Sequence, residues 1–173
     1  AWTVAALAGA FLAYQLSFLA RVVWWKTHTP EATAFMQARL ERMRGHVAAA
    51  CQTVWQDHVD LVGEHEYLQR KHVGAHGVGF ARRLVVLEID DQAERCQIWT
   101  SGEATRWLES IPRPRPAHLS MLVLRAGDLV VPLRDIDGKL WALQVINGNG
   151  KKLFPKYGRK SGCMHWLVPP EQP

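Results

Sequence analysis

The sequence of 173 residues predicts an α+β fold, in which N-terminal helices are followed by a curled antiparallel β-meander. Apolar residues recur every three or four positions between residues 30 and 55, which is the period of an amphipathic helix. From residue 119 onward, short apolar runs alternate with glycine-containing turn signals, as in antiparallel strands. With 48% hydrophobic residues the chain can bury a core, so the composition excludes a disordered chain and a disulfide-rich scaffold.

The first predicted segment, residues 1–26, begins with 20 residues that carry no charge. About 20 apolar residues let a helix cross a bilayer, and Arg21 and Lys26 follow on one side. Seven alanines and three polar residues among the 20 weaken that interpretation in favour of a packing helix. Residues 1–20 therefore leave two alternatives, a packing helix in a cytoplasmic protein or a membrane anchor.

The next two segments are predicted as residues 27–80, mainly helical, and residues 81–118, a small α/β insertion. Thr29 and Pro30 are typical of a helix start. A second, short helix is expected within EHEYLQRK, before the glycine-spaced stretch HVGAHGVGF. The insertion contains two predicted strands, a helix and a proline-rich connector; these elements cover residues 84–89, 96–100, 103–110 and 111–116.

The last predicted segment, residues 119–173, is the basic β-meander. MLVLR is expected to turn at residues 126–128 into LVVPLR, and further turns are expected at residues 135–138 and 147–150. The strands KLWALQVI and KKLF follow, and CMHWLV completes the predicted set.

The positive charge of the chain is concentrated in this meander. The sequence has 21 Lys and Arg against 16 Asp and Glu, a net charge of +5. Residues 125–162 hold eight basic and three acidic residues, so this stretch alone carries +5 and the rest is neutral. Cations interleaved with aromatic rings suit single-stranded nucleic acid, because phosphates and unstacked bases need both. The alternative is a lysine-rich loop that keeps a sheet edge soluble.

Signatures of catalysis and of metal binding are missing from the sequence. It contains no phosphate-binding loop, no nucleophile elbow and no zinc-protease motif. The cysteines, Cys51, Cys96 and Cys163, lack zinc-ligand spacing and suit a reducing cytoplasm. Asp135 and Asp137 are expected to bond the backbone of their own turn. We therefore predict no catalytic and no metal-binding residue.

Two stretches together carry a family resemblance. HEYLQRKHVGAHGV at 65–78 and LVVPLRDIDGKLWALQVINGNGKKLFPKYGRKSGCMHWL at 129–167 resemble the region just before the Toprim domain in DNA primases of plasmids and phages, those of conjugative-plasmid type. The matching residues of the first stretch are His65, Tyr67, Leu68, Arg70, Lys71, Val73, Ala75, His76 and Gly77. Those of the second are Pro132, Arg134, Asp135, Asp137, Gly138, Leu140, Trp141, Leu143, Gln144, Ile146, Gly150, Lys152, Phe154, Gly158, Arg159, Ser161, Gly162 and Cys163.

The resemblance implies an accessory nucleic-acid-binding domain of a Toprim-type primase, acting in plasmid or phage replication or in conjugative transfer. Implied partners are single-stranded DNA or RNA-primed DNA and adjoining Toprim and helicase domains. No cofactor is implied for this chain; a divalent metal, Mg²⁺, is expected only in the Toprim domain, whose glutamate motif is absent here. The sequence departs from the family in its long spacer, residues 82–127, and in residues 1–26, which have no counterpart.

Eleven residues are predicted to contact nucleic acid, although Trp141 has a rival role as a core residue of its strand. They are Arg70, Lys71, Arg134, Lys139, Trp141, Lys151, Lys152, Lys156, Tyr157, Arg159 and Lys160. An alternative function is a GAF-like sensory domain for a small ligand, tethered to a membrane, because VPLRDIDGKLWALQVIN also resembles the central hairpin of that family. A third is a truncated remnant without function.

Overall fold

The computed structural model describes residues 14–20 and 31–167. The chain divides into two compact units, residues 1–39 and residues 40–173. In the first unit, residues 14–20 form a helix, α1, whose apolar side chains are exposed. Most of the predicted apolar segment, residues 1–13, and the helix start at Thr29 and Pro30 lie outside the described residues. Over the ranges that are described, no helix combines the length and the apolar character needed to cross a membrane.

Three more helices and eight strands follow α1. The helices are α2 (Glu31–His58), α3 (Glu66–Lys71) and α4 (Ser101–Ser110). The strands are β1 (Val59–Asp60), β2 (Gly79–Ala81), β3 (Val85–Asp90), β4 (Arg95–Thr100), β5 (Leu119–Leu124), β6 (Leu129–Arg134), β7 (Leu140–Ile146) and β8 (Lys152–Leu153).

The predicted amphipathic helix is present as α2, which runs three residues beyond Trp55. Its buried side chains are spaced three and four residues apart, so they lie on one face of the helix. Met43, Val47, Cys51 and Val54 are fully buried there and belong to the main core. The apolar period in the sequence therefore identified the face that packs.

A five-stranded antiparallel sheet, in the order β1-β2-β6-β7-β8, has apolar side chains on both faces. Val130 and Val145 join the main core with α2, because alternate residues of a strand point to the same face. Their neighbours Leu129 and Ile146 join a second cluster, against which Tyr67 of α3 packs. The short helix α3 thus covers the face of the sheet opposite to the main core.

A second antiparallel sheet, in the order β4-β3-β5, completes the main core. Val85, Leu87 and Ile89 of β3 are fully buried in that core. Glu88, which points to the other face, is also buried; it accepts a hydrogen bond of 2.7 Å from the Trp99 indole and pairs with Arg95. A buried carboxylate is tolerable in this position because both partners satisfy its oxygens.

The α+β class is confirmed, but two details of the predicted meander are wrong. β5 pairs with β3 along its whole length and makes no hairpin with β6. The predicted turn is present, closed by a hydrogen bond from the Asp128 backbone N–H to the Arg125 carbonyl, but Gly127 and Asp128 also form backbone hydrogen bonds with Ala81. The predicted last strand, CMHWLV, is reduced to a single bridge between Met164 and Arg134. Among the strands that the structure describes, β6, β7 and β8 alone form a meander in one sheet.

Candidate nucleic-acid interface

Most of the predicted contact residues gather near the two ends of β7. Trp141 lies at the start of this strand, and Ile146, which pairs with Lys152, lies at its end. Five strand residues at about 3.3 Å each separate these positions by about 16 Å. The predicted interface is therefore two clusters rather than one.

The first cluster, which we call the Tyr67 cluster, consists of Tyr67, Arg70 and Lys152. The Arg70 guanidinium carbon lies 5.8 Å and the Lys152 Nζ 5.6 Å from the centre of the Tyr67 ring. His65 caps α3 by accepting a hydrogen bond of 3.1 Å at Nδ1 from the backbone N–H of Tyr67. Gly150, at φ +78°, leaves room for Arg70, since a Cβ there would approach its guanidinium to 2.7 Å. The cap and the glycine together position two cations beside one ring.

Lys71 and Lys151 flank this cluster in sequence. Lys71 ends α3, and Lys151 directly precedes β8. Both side chains are exposed. They add positive charge next to the Tyr67 cluster without a direct contact to its ring.

The second cluster, the Trp141 cluster, consists of Trp141, Lys139 and Arg159. Lys139 Nζ lies 3.9 Å and the Arg159 guanidinium carbon 4.7 Å from the centre of the Trp141 ring. Cations at such distances are attracted by the negative face of the indole. Trp141 is only half-buried and belongs to neither core cluster, so its rival role as a core residue has no support in the structure.

A β-bulge explains where Trp141 points. Leu133 pairs with Ala142 and Arg134 pairs with Leu140, so Trp141 is the extra residue of β7. A bulge redirects the side chain of its extra residue. The sequence alone predicts a regular strand, in which Trp141 would share a face with the buried Leu143.

Asp135 holds the Trp141 indole in place. Its Oδ2 accepts a hydrogen bond of 2.6 Å from the indole Nε1. Its Oδ1 accepts hydrogen bonds from the backbone N–H groups of Asp137 and Lys139, as the sequence predicted for a carboxylate in this turn. The indole bond is the main cause that lowers the pKa of Asp135 below its usual value.

Three predicted contact residues have other partners. Lys156 pairs with Asp91, and that hydrogen bond is the main cause that raises the pKa of Lys156. Tyr157 packs against the main core. Arg134 is half-buried and donates a hydrogen bond of 2.9 Å from Nη1 to the Gly138 carbonyl, and burial lowers its pKa. These three side chains are less available to a bound strand than the two clusters are.

Lys160 belongs to a further cation–aromatic pair. Its Nζ lies 4.2 Å from the centre of the Phe154 ring, and the lysine is exposed. Sequence reasoning missed two residues here, Tyr67 as an aromatic partner and Asp91 as the acid that pairs with Lys156. The spacing of Tyr67 and Arg70, three residues apart on a helix, could have revealed the first contact. Asp91 is 65 residues away from Lys156, so no local signal could have revealed the second.

Most of the cations on this surface form no ion pair within the described ranges. Arginines elsewhere in the chain pair with acids, as Arg42 does with Glu94 and Arg82 with Asp60. Seven predicted contact residues have no carboxylate within ion-pairing distance among the residues that the structure describes. These seven, which we call the basic edge, are Arg70, Lys71, Lys139, Lys151, Lys152, Arg159 and Lys160.

A divalent metal finds no site in the described part of the chain. No group of three or more His, Cys, Asp or Glu side chains lies there in an arrangement that could hold a metal ion.

Comparison with known proteins finds short partial matches to two classes of protein. The chain is 34% identical to "DNA primase TraC" of Escherichia coli over 73 residues, which are 37% of this chain and 7% of the primase. It is 46% identical over 51 residues to a "Biosynthetic peptidoglycan transglycosylase" of Nitrosomonas eutropha, covering 29% of this chain and 21% of that enzyme. The transglycosylase of Nitrosomonas europaea is 36% identical over 72 residues, covering 41% and 28%.

These matches limit what can be assigned. No family model matches the sequence, and no solved structure matches it significantly. Each match covers less than a third of the relative's own length. The chain is thus similar in part to a DNA primase, as the family resemblance predicted, and in part to peptidoglycan transglycosylases.

Proposed function

We propose that this chain binds single-stranded nucleic acid through the basic edge, as an accessory module of a plasmid-type DNA primase. The observation that carries the proposal is the pair of cation–aromatic clusters at the two ends of β7. In each, two cations lie within 6 Å of the centre of one aromatic ring. No described carboxylate is ion-paired with these cations.

Physical chemistry links this arrangement to single strands. Cations that are not neutralised by the protein bind phosphates and release the counterions of the strand. In this proposal unstacked bases stack on the rings of Tyr67 and Trp141 in place of the cations that lie over them, at a gain of about 1–3 kcal/mol per base. A duplex hides its bases, so it offers only phosphates to this surface. Single strands are therefore the preferred ligand in this proposal.

The partial match to a DNA primase, together with the resemblance to primases of conjugative-plasmid type, supports the biological context of the proposal. Primer synthesis by this chain is not part of the proposal. The partners we propose are single-stranded or RNA-primed DNA and adjoining Toprim and helicase domains. The transglycosylase activity and the GAF-like alternative are not proposed, since no contact among the described residues favours either of them.

Fluorescence anisotropy with labelled oligonucleotides tests the proposal. We expect single strands to bind more tightly than duplexes of equal length, and affinity to fall steeply between low and high salt. The combined substitution Lys151→Ala, Lys152→Ala and Lys160→Ala should remove most of the binding. Loss of three phosphate contacts should reduce the slope of log affinity against log salt by about 2, at about 0.7 per contact.

A charge-matched control separates local contacts from net charge. Arg106→Ala, Arg113→Ala and Arg115→Ala remove the same charge from exposed positions in and after α4. This variant should retain nearly the full affinity. Equal affinities for the two triple variants, or no binding of single strands by the unmodified chain, would contradict the proposal.

A further inference from the structure

A cleft of about 420 Å³ opens beside the turn that follows β6. Its volume is within the range of small-molecule sites and too small for a duplex. The walls come from the end of α2, the loops around α3, the β6–β7 turn and the segment after β8. The lining residues used below are Trp55, Gly77, Arg134, Asp137, Gly138 and Trp166.

Contacts on two sides hold Trp166 at the wall of the cleft. Its ring lies over Gly138, where a Cβ would approach it to 3.2 Å, and Gly138 is at φ +82°. The preceding residue, His165, forms a hydrogen bond of 2.7 Å through Nε2 with the carbonyl of His76. Met164 and Arg134 exchange two backbone hydrogen bonds. The cleft is thus preformed, with an indole fixed beside the guanidinium-bearing strand.

Arg134 brings a partly desolvated positive charge to this cleft. Its Nη1 donates to the Gly138 carbonyl, and the other two guanidinium nitrogens, Nε and Nη2, form no hydrogen bond with the described residues. Within the same ranges no carboxylate lies within 4 Å of the guanidinium. Burial lowers its pKa, as expected for a cation without a counter-charge. A desolvated guanidinium gains most from an anion that accepts two parallel hydrogen bonds, such as a phosphate.

The other residues that line the cleft indicate which chemical groups the ligand carries besides its phosphate. Trp55 and Trp166 provide aromatic surface for a planar ring, and the exposed Asp137 can accept a hydrogen bond from an amino or hydroxyl group. A nucleotide combines these three features in one molecule of suitable size.

We infer that this cleft binds a single nucleotide, with its phosphate on Arg134, its base against Trp166 and its amino or hydroxyl groups at Asp137. This inference rests on the proposed function, because a nucleotide of the bound single strand carries the phosphate, the base and the amino or hydroxyl groups that the cleft would contact. A free mononucleotide has the same chemistry, so the test must distinguish the two sources.

Titrations followed by NMR of the tryptophan indole N–H groups test the inference on the full chain. The probes are deoxyadenosine monophosphate, deoxyadenosine and inorganic phosphate, and Trp55→Phe and Trp166→Phe assign the two resonances. We expect the monophosphate to shift the Trp166 resonance and to saturate at millimolar concentration. The nucleoside and inorganic phosphate should each bind at least about tenfold more weakly. The nucleoside lacks the phosphate that contacts Arg134, and inorganic phosphate lacks the base that contacts Trp166.

Substitutions locate the binding. Arg134→Gln should reduce the affinity for the monophosphate about tenfold or more, whereas Arg106→Gln on α4 should leave it unchanged. Trp166→Leu, which removes the ring at another position, should also weaken binding and serves if Arg134→Gln does not fold. Affinities within twofold of the unmodified chain in both folded variants, or no shift of Trp166 with the monophosphate, would overturn the inference.

Two further comparisons distinguish a nucleotide of the bound strand from a free nucleotide, and the cleft proposal from the proposed function. A saturating single strand displaces the monophosphate if the strand itself fills the cleft, and leaves it bound if the cleft takes free nucleotides; both outcomes support a nucleotide site. The triple lysine variant of the basic edge should retain monophosphate binding. If single strands fail to bind while the monophosphate binds, the proposed function fails and the cleft assignment stands; the reverse result removes the cleft assignment alone.

Discussion

Asp135 connects the turn after β6 to Trp141 through three hydrogen bonds. In Asp135→Asn, the amide oxygen can still accept from the turn, but the amide nitrogen cannot accept the indole N–H. We therefore expect this variant to have a lower melting temperature and a more mobile Trp141. Thermal unfolding and the exchange of the Trp141 indole N–H measure the two effects.

Asp137→Asn is the matched control, because it removes the same charge from the same turn and its carboxylate makes no ion pair with the described residues. An equal loss of melting temperature in both variants would show that only charge matters.

The contribution of Asp135 to stability should depend on pH in a definite direction. The pKa of Asp135 is lowered in the folded chain, so its contribution to stability is present above the usual value of 3.8 and is lost as pH falls through the lowered pKa.

Two glycines in regular elements should respond to alanine in opposite directions. Gly45 is in the interior of α2, and a Cβ there would meet no atom within 4 Å, so Gly45→Ala should stabilise the chain by about 1 kcal/mol. Gly79 begins β2, and a Cβ there would come within 2.2 Å of Val59 and 2.9 Å of the Asp60 carbonyl. Gly79→Ala should separate β1 from β2 and cost roughly 1–3 kcal/mol.

Urea unfolding of both variants gives the two changes in free energy of unfolding. A loss of stability in Gly45→Ala would show that α2 does not tolerate a methyl group at this position. An unchanged stability in Gly79→Ala would show that the close approach of β1 is not required.

At the level of elements, sequence patterns predict local structure better than pairing. The strands at residues 84–89 and 96–100 are present within one residue at each end, because short strand-forming runs flank an acidic turn there. The predicted pairing of β5 with β6 was wrong, because β2 pairs with β6 on that side. β2 is only three residues long. A strand of three residues is too short to give a recognisable sequence pattern, so the hairpin signal after β5 decided the predicted pairing. The bulge at Trp141 lies in the pairing of β6 with β7, which the sequence predicts only as a regular hairpin.

At the level of the whole molecule, the fold brings basic residues from two distant stretches of the sequence close together. The two primase-like stretches meet, because Tyr67 and Arg70 of the first contact Lys152 and Gly150 of the second. The intervening spacer, residues 82–127, contributes β3 and β5 to the main core. The candidate site was therefore predictable in its cations but not in their division into two clusters, which requires the register of β7 and β8.

The same organisation predicts which part of the chain folds alone. All core residues of α2 lie after residue 40, within the unit Leu40–Pro173 that also contains both sheets. A fragment of this unit should unfold cooperatively in urea, with a slope of about 1–3 kcal/mol/M and a midpoint close to that of the full chain. A control fragment of residues 56–173 lacks Met43, Val47, Cys51 and Val54, so its sheets lose their cover and we expect no cooperative transition. A cooperative transition in the shorter fragment, or none in the longer one, would contradict the assignment of α2 to this core.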